Sequence, residues 1–149
     1  MKIVKSHVDD HTVLTELTIK SKAFWGYSEK QIKDWTTLLT ISKKYITENE
    51  VYNLISDGQI IAYYSFFKID DNRVKLDNLF ILPSFIGKKL GTYLVDDFIL
   101  RVKKAGISVI TLDSEPNSED FYRKMGFRVV GQKETSMKNR FMPIMEKEL

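Results

Sequence analysis

The stretch Leu76-Asp77-Asn78-Leu79-Phe80-Ile81-Leu82-Pro83-Ser84-Phe85-Ile86-Gly87-Lys88-Lys89-Leu90-Gly91-Thr92 offers more chemistry than any other part of the chain. It reads as a strand, a glycine-containing loop and an amphipathic helix in immediate succession. The start of a helix presents N–H groups without intrahelical acceptors and a partial positive charge, and glycine lets an anion come close to the backbone. The loop is therefore a candidate cradle for a phosphate or pyrophosphate, with Lys88 and Lys89 able to add charge. The plainer alternative is that Gly87 and Gly91 serve only a turn and close packing. It is not a Walker loop, because the upstream glycine is absent and no Gly-Lys-Ser/Thr follows. It is not a dinucleotide fingerprint either, because the third glycine and the later ribose-binding acid are missing.

The surrounding pattern supplies elements to hold this segment. Asp9 or Asp10 can cap a first helix in which Val13, Leu14, Leu17 and Ile19 recur at helical spacing, ending before Phe24-Trp25-Gly26-Tyr27. Ser28, with Gln31 three residues on, has the form of a capping box and opens a second helix through Ile32, Trp35, Leu38 and Leu39. Residues 51–55 and 59–67 are rich in β-branched and aromatic types and flank Asp57-Gly58, a tight-hairpin signal. Asp70-Asp71-Asn72 turns the chain into a third strand, 74–82, that stops at Pro83. Leu90, Leu94, Phe98 and Val102, widened by Val95 and Ile99, form a helical stripe that Gly106 ends. Residues 107–112 read as a buried strand, and the helix before it makes it parallel to its predecessor. A short helix over 117–125, with Phe121 and Met125 as its buried pair, ends at Gly126, and strands 127–130 and 141–148 complete the sheet. The expected order is ααβββαβαββ. It describes one α/β (α+β) domain over 1–149, with a mixed, mostly antiparallel central sheet, a parallel central pair and helices on both faces.

Composition excludes several classes. The chain has 149 residues, 43% hydrophobic and 29% charged, enough for one core. It has no cysteine and only two histidines, so neither a disulfide framework nor a structural zinc is expected, and no metal is assigned. The net charge of +3 is small and dispersed. Arg101, Lys103 and Lys104 read as the solvated last turn of a helix, so no nucleic-acid partner is expected. Met1-Lys2-Ile3-Val4-Lys5 lacks the apolar centre of a signal peptide, and no apolar run approaches the ~18 residues of a membrane helix. A cytoplasmic protein without a membrane partner is the expectation.

The loop then resembles that of the GCN5-related N-acetyltransferase (GNAT) family, which carries Gln/Arg-x-x-Gly-x-Gly/Ala after its fourth strand. Ile86 stands at the Gln/Arg position, Lys89 at the first glycine and Gly91 at the second, so two of the three signature positions depart. Either negative φ at Lys89 lets the loop tolerate its Cβ, or coenzyme affinity is reduced. The block Ser114-Glu115-Pro116-Asn117-Ser118-Glu119-Asp120-Phe121-Tyr122-Arg123-Lys124-Met125-Gly126-Phe127 resembles the family's small helix ending Phe-Tyr-x-x-x-Gly-Phe. Glu115 replaces the usual Asn seven residues before the Tyr, and Asn117 is the candidate to supply the lost amide. Ser21-Lys22-Ala23-Phe24-Trp25-Gly26-Tyr27 and Arg140-Phe141-Met142-Pro143 resemble a bacterial subgroup of these enzymes, which extends the likeness over nearly the whole chain.

The resemblance implies a GNAT-like sheet and acetyl-CoA as co-substrate. Its pantetheine arm would lie along Leu79, Phe80 and Ile81, and its pyrophosphate on Ile86, Gly87, Lys88, Lys89, Leu90, Gly91 and Thr92, with Asn117 also in contact. It further implies that Tyr122 is the general acid beside the sulfur and that Trp25 and Tyr27 wall the acceptor site. The glutamate used as a base by some members is here Lys75. That leaves Asp77, acting through water, with Glu29, Glu115, His7 and His11 more remote. The expected activity is N-acetyl transfer to a primary amine by direct attack on the thioester, with a small-molecule amine or a peptide as acceptor and a monomer or homodimer as the assembly. A protein or peptide N-acetyltransferase and a coenzyme A binding module without turnover are the alternatives. Plainer roles stand beside the functional ones: Tyr122 as a half-buried aromatic, Trp25 and Tyr27 as a hydrophobic staple, Asp77 as a surface residue.

Overall fold

A computed structural model of the chain describes residues 1–134 and 141–149; Arg140 of the Arg-x-x-Pro segment lies outside the described residues. The elements are β1 (Lys2–Lys5), α1 (His11–Phe24), α2 (Glu29–Asp34), α3 (Thr36–Leu39), α4 (Lys43–Glu48), β2 (Glu50–Ser56), β3 (Gln59–Lys68), β4 (Arg73–Ile81), α5 (Leu90–Lys104), β5 (Val109–Asp113), α6 (Glu119–Lys124), β6 (Arg128–Glu134) and β7 (Phe141–Glu148). Among the described residues the strands form one seven-stranded sheet in the order β1-β2-β3-β4-β5-β7-β6. The chain divides into two compact units, Met1–Ser65 with Asn78–Leu94, and Phe66–Asp77 with Val95–Leu149.

In the first unit, β1 pairs antiparallel with β2 from Lys2↔Ile55 to Lys5↔Tyr52. This strand was not expected: it is short and lies almost wholly exposed, so it leaves no apolar alternation to read. Ser28 caps α2 through the expected capping box with Gln31, but the helix breaks at Trp35 and resumes as α3. The unexpected α4 is started by Ser42, whose hydroxyl accepts the Tyr45 N–H. Asp57 and Gly58 turn β2 into β3 with φ of 50° and 76°, as a tight primed turn requires. The core gathers Leu14, Leu17, Ile41, Ile46, Val51 and Tyr63, with Phe80 and Leu82 packed against it. Val13, expected on the buried stripe, is 43% exposed; the stripe of α1 runs instead through Leu14, Leu17, Thr18, Ser21 and Lys22.

In the second unit, β4 and β5 are parallel from Arg73↔Val109 to Leu76↔Leu112, as the α5 crossover demands. β7 pairs antiparallel with both β5 and β6, with a register shift between Val129 and Gly131. Phe98 of α5 is fully buried, its ring 5.0 Å from that of Phe66. One ion cluster ties three strands: Asp113 of β5 accepts from Lys75 of β4 at 2.8 Å and from Lys133 of β6 at 3.2 Å.

Burial alone would push the Asp113 carboxyl up, but the hydrogen bonds and charges of Lys75 and Lys133 outweigh it and hold it below the ordinary carboxylate range. A carboxyl whose folded value is depressed stabilises above its unfolded value, about 4, and loses that contribution as pH falls through the folded one. Asp113→Asn should therefore lower the unfolding free energy by about 1–3 kcal/mol at pH 7. Urea denaturation repeated near pH 3 should show a smaller gap between variant and wild type; a gap of undiminished size would mean that the ion cluster is not its source.

Candidate functional site

The conformation of the loop decides what the strand–loop–helix segment can hold. Pro83, without an N–H, ends β4 and heads a short turn of 3-10 helix, Pro83–Phe85, while the Leu82 N–H is tied to the Ile61 carbonyl at 2.8 Å. Leu79, Phe80 and Ile81 are half-buried at the end of the strand. Gly87 then takes φ 87° and Lys89 φ 61°. The Lys89 carbonyl accepts the Tyr93 N–H at 3.3 Å, so α5 starts immediately behind it. Leu90, Gly91 and Thr92 form its first turn, where no acidic side chain stands. Their N–H groups are those a helix leaves without intrahelical acceptors, and with the dipole of a 15-residue helix behind them they favour an anion. Negative φ at Lys89 is overturned: the residue keeps the left-handed conformation of a glycine although it carries a side chain, because the entry into α5 demands that backbone. Lys88 lies beside it, its ammonium 5.2 Å from the centre of the Phe85 ring.

The same unit builds an aromatic cluster against β4. Lys22, in the last turn of α1, is only 8% exposed. Its Nζ stands 5.5 Å from the ring centre of Tyr27, 5.9 Å from that of Trp35 and 5.8 Å from that of Phe80. Tyr27 and Trp35 meet edge to face at 4.9 Å, and Phe80 leans on Tyr63 at 6.0 Å. Trp25 does not join them: it is 50% exposed and packs edge-on against Phe24. Lys22 and Trp35 were not singled out from the sequence. The available signal was the helical phase, since Lys22 follows Leu14 and Thr18 on one face and a charge on a buried stripe calls for an explanation. Next to Phe80, Asn78 donates to the Tyr45 hydroxyl at 3.1 Å and to Ser65 at 3.0 Å, and those two hydroxyls share a hydrogen bond of 2.8 Å. This cluster, also missed, fixes β4 from its buried side.

In the second unit, α6 spans six residues, and its buried residue is Tyr122, not the expected pair Phe121 and Met125, both of which are half-buried. So short a helix turns only one position fully inward, and Tyr122 takes it by packing edge-on to Phe121 at 5.0 Å and Phe127 at 5.6 Å. Burial, and secondarily the charge of Glu115, push its phenol well above the ordinary value of 10. Asn117 is exposed on the turn Pro116–Ser118. Asp77 is exposed on β4, and Lys75 is engaged with Asp113. His7 acts as a cap, its Nδ1 accepting the Asp9 N–H, and His11 follows at the start of α1. Among the described residues no cluster of three or more His, Asp or Glu is placed to hold a metal ion, and no helix is long and apolar enough to cross a membrane.

Residues 26–149 match the model of the acetyltransferase (GNAT) domain. The chain belongs to the GNAT acetyltransferase family. The same fold is found in PaiA N-acetyltransferase from Thermoplasma acidophilum, crystallised with coenzyme A. That likeness has a TM-score of 0.83 and 24% identity and covers 99% of this chain and 98% of that one. A GNAT family acetyltransferase from Elizabethkingia anophelis with acetyl-CoA bound aligns with TM-score 0.74 and 18% identity over 99% and 97% of the two chains. The histone acetyltransferase type B catalytic subunit of Arabidopsis thaliana is 38% identical over 64 residues, 42% of this chain and 13% of that protein. An N-acetyltransferase of Porphyra purpurea is 45% identical over 47 residues, 32% of this chain and 27% of its own length. The chain thus spans well under half the length of either of these curated relatives.

In this GNAT domain the left-handed pair gives a signed prediction. A Cβ at Gly87 would meet nothing within 4 Å, so Gly87→Ala costs only the backbone strain of φ 87°, about 1 kcal/mol. Lys89→Gly should act in the opposite sense and stabilise by up to about 1 kcal/mol, the relief of left-handed strain less the entropy that glycine adds to the unfolded chain. Thermal and urea unfolding of both variants check the signs.

Proposed function

We propose that the chain is an N-acetyltransferase that moves the acetyl group of acetyl-CoA onto a primary amine by direct attack on the thioester. The observation that carries this is the left-handed turn at Gly87 and Lys89, which delivers the free N–H groups of α5 to the end of β4. Ile86, Gly87, Leu90, Gly91 and Thr92 would receive the pyrophosphate, with charge from Lys88 and Lys89. The backbone at Leu79, Phe80 and Ile81 would hold the pantetheine arm as an added strand is held, and one of its N–H groups would polarise the thioester carbonyl. Asn117 would add an amide contact to the coenzyme.

The remaining steps concern protons. The acceptor ammonium gives up a proton through water to Asp77, an exposed carboxylate, and its lone pair attacks the carbonyl carbon. The nitrogen of the tetrahedral intermediate sheds its second proton to solvent, collapse breaks the C–S bond, and Tyr122 protonates the departing thiolate and regains its own proton from solvent. A phenol held well above its ordinary value keeps its proton at neutral pH, as that task requires. Tyr27 and Trp25 contribute aromatic surface for the acceptor.

Calorimetric titration with acetyl-CoA and thiol release across an amine panel test the proposal. Gly91→Asp, which sets a negative charge in the first turn of α5, should weaken acetyl-CoA binding at least about tenfold. Tyr122→Phe should bind as wild type does and lose about 10²–10⁴ in kcat, and Asp77→Asn should also lower kcat with binding unchanged. Binding without thiol release to any amine would make the chain a coenzyme A binding module. Absence of binding at millimolar acetyl-CoA would overturn the proposal.

A further inference from the structure

Asparagine is depleted in strands, and a polar side chain that loses water there must find partners. Asn78, half-buried within β4, has two. Its Nδ2 donates to the Tyr45 hydroxyl of α4 at 3.1 Å and to the Ser65 hydroxyl of β3 at 3.0 Å, and those two oxygens share a hydrogen bond of 2.8 Å. An amide nitrogen carries its N–H groups in a fixed plane, so two acceptors set the rotation of the carboxamide as well as its place. Both acceptors are themselves anchored. Ser65 is fully buried, and the Tyr45 N–H is held by the Ser42 hydroxyl in a helix whose next residue, Ile46, belongs to the core. The triangle therefore joins β4 to a neighbouring strand and to a helix, both of which are fixed without it.

Its place along β4 gives this triangle a bearing on the chemistry. The parallel ladder with β5 runs from Arg73 to Leu76, and Asn78 lies just beyond it. Further on, the Leu82 N–H is bonded to the Ile61 carbonyl at 2.8 Å. Leu79, Phe80 and Ile81, the backbone assigned above to the pantetheine arm and the thioester, lie between these two anchors. An N–H that polarises a carbonyl must be aimed at the oxygen where charge develops, and a displacement of about 1 Å costs on the order of a hundredfold in rate. The Leu79 N–H belongs to the peptide plane that begins at Asn78, so the hydrogen bonds of the carboxamide limit how far that plane can turn.

We infer that Asn78 is a positioning residue for acetyl transfer: with Tyr45 and Ser65 it aims the β4 backbone that polarises the thioester carbonyl. It acts through that backbone and not by contact with coenzyme or acceptor. This rests on the acetyltransferase reading above. Because that reading gives the pyrophosphate to the start of α5, loss of the triangle should show in the carbonyl and in the chemical step, and not in coenzyme affinity.

Asn78→Leu keeps roughly the shape of the side chain and removes its donors. Acetyl-CoA isotopically labelled at the thioester carbonyl is bound in the absence of acceptor, and difference infrared spectra report the carbonyl stretch. Wild type should lower that stretch relative to free acetyl-CoA, and Asn78→Leu should return it most of the way to the free value. With an amine that wild type uses, kcat of the variant should fall about tenfold to hundredfold, while the calorimetric Kd for acetyl-CoA stays close to that of wild type. Ser65→Ala, which removes one of the two acceptors, should give a smaller loss of the same kind, and the double variant should be no worse than Asn78→Leu alone. Should Asn78→Leu not fold, Ser65→Ala decides: stretch and kcat moving together support the inference, and an unmoved stretch overturns it. A wild-type stretch equal to that of free acetyl-CoA, a folded Asn78→Leu with wild-type kcat, a loss of kcat with the stretch unmoved, or a loss confined to acetyl-CoA binding would overturn this inference while acetyl transfer stood. Failure of wild type to bind acetyl-CoA, or to release thiol with any amine, would overturn the acetyltransferase reading and this one with it.

Discussion

The chain passes from β4 to α5 through left-handed backbone, and the positions of Gly87 and Lys89 in that turn determine which N–H groups face outward from the start of the helix. The buried stripe of α5 is set independently by Leu90 and Leu94 near its start and by Val95, Phe98 and Val102 beyond. Each residue added to a helix rotates its phase by about 100°, so the stripe leaves little freedom in how the first turn is oriented. The loop must meet that orientation from the fixed end of β4, where Pro83 stops the ladder and Leu82 is tied to Ile61. A left-handed residue reverses chain direction in the shortest length, and this is why Lys89 adopts glycine's conformation. The side chain at this position is replaceable in kind; the backbone angle is not.

Much of the fold was legible because the signals were strong and local. Asp57-Gly58, Pro83, the four-residue spacing of Leu90, Leu94, Phe98 and Val102, and the full extent of β7 could all be read from pattern, and the parallel β4–β5 pair followed from the crossover helix. The misses share a cause. β1 is a four-residue strand that buries little, and α4 is a single capped turn and a half, so neither carries a periodicity longer than its own ends. The loop between β4 and α5 was visible as a motif. The Lys22 cluster was not, because its members come from α1, α2–α3 and β4 and meet only in three dimensions. Tyr122 was recognised by its motif, but the motif does not reveal that this residue, and not Phe121, takes the inward position of α6.

Two lysines show how one side chain serves different ends according to what surrounds it. Lys75 is held by a carboxylate, Asp113, which also accepts from Lys133; two cations share one anion, and the result is a strap across three strands. Lys22 stands among the rings of Tyr27, Trp35 and Phe80, whose faces attract its charge. The first arrangement joins strands through charge, whereas the second joins α1 to the segment around α2 and to β4 through ring faces.

The exchange of glutamate for lysine at position 75 has a further consequence for acetyl transfer. A cation engaged with Asp113 cannot receive a proton, so this chain lacks at that position the fixed base that some GNAT enzymes place there. In the acetyl transfer proposed above, Asp77 would therefore take the amine's proton through water, and Tyr122, buried and with its phenol pushed above the ordinary value, would supply the thiolate's. The two protons would travel by separate routes that solvent connects, so the loss of a fixed base at position 75 would change where the amine's proton goes without touching the leaving-group step.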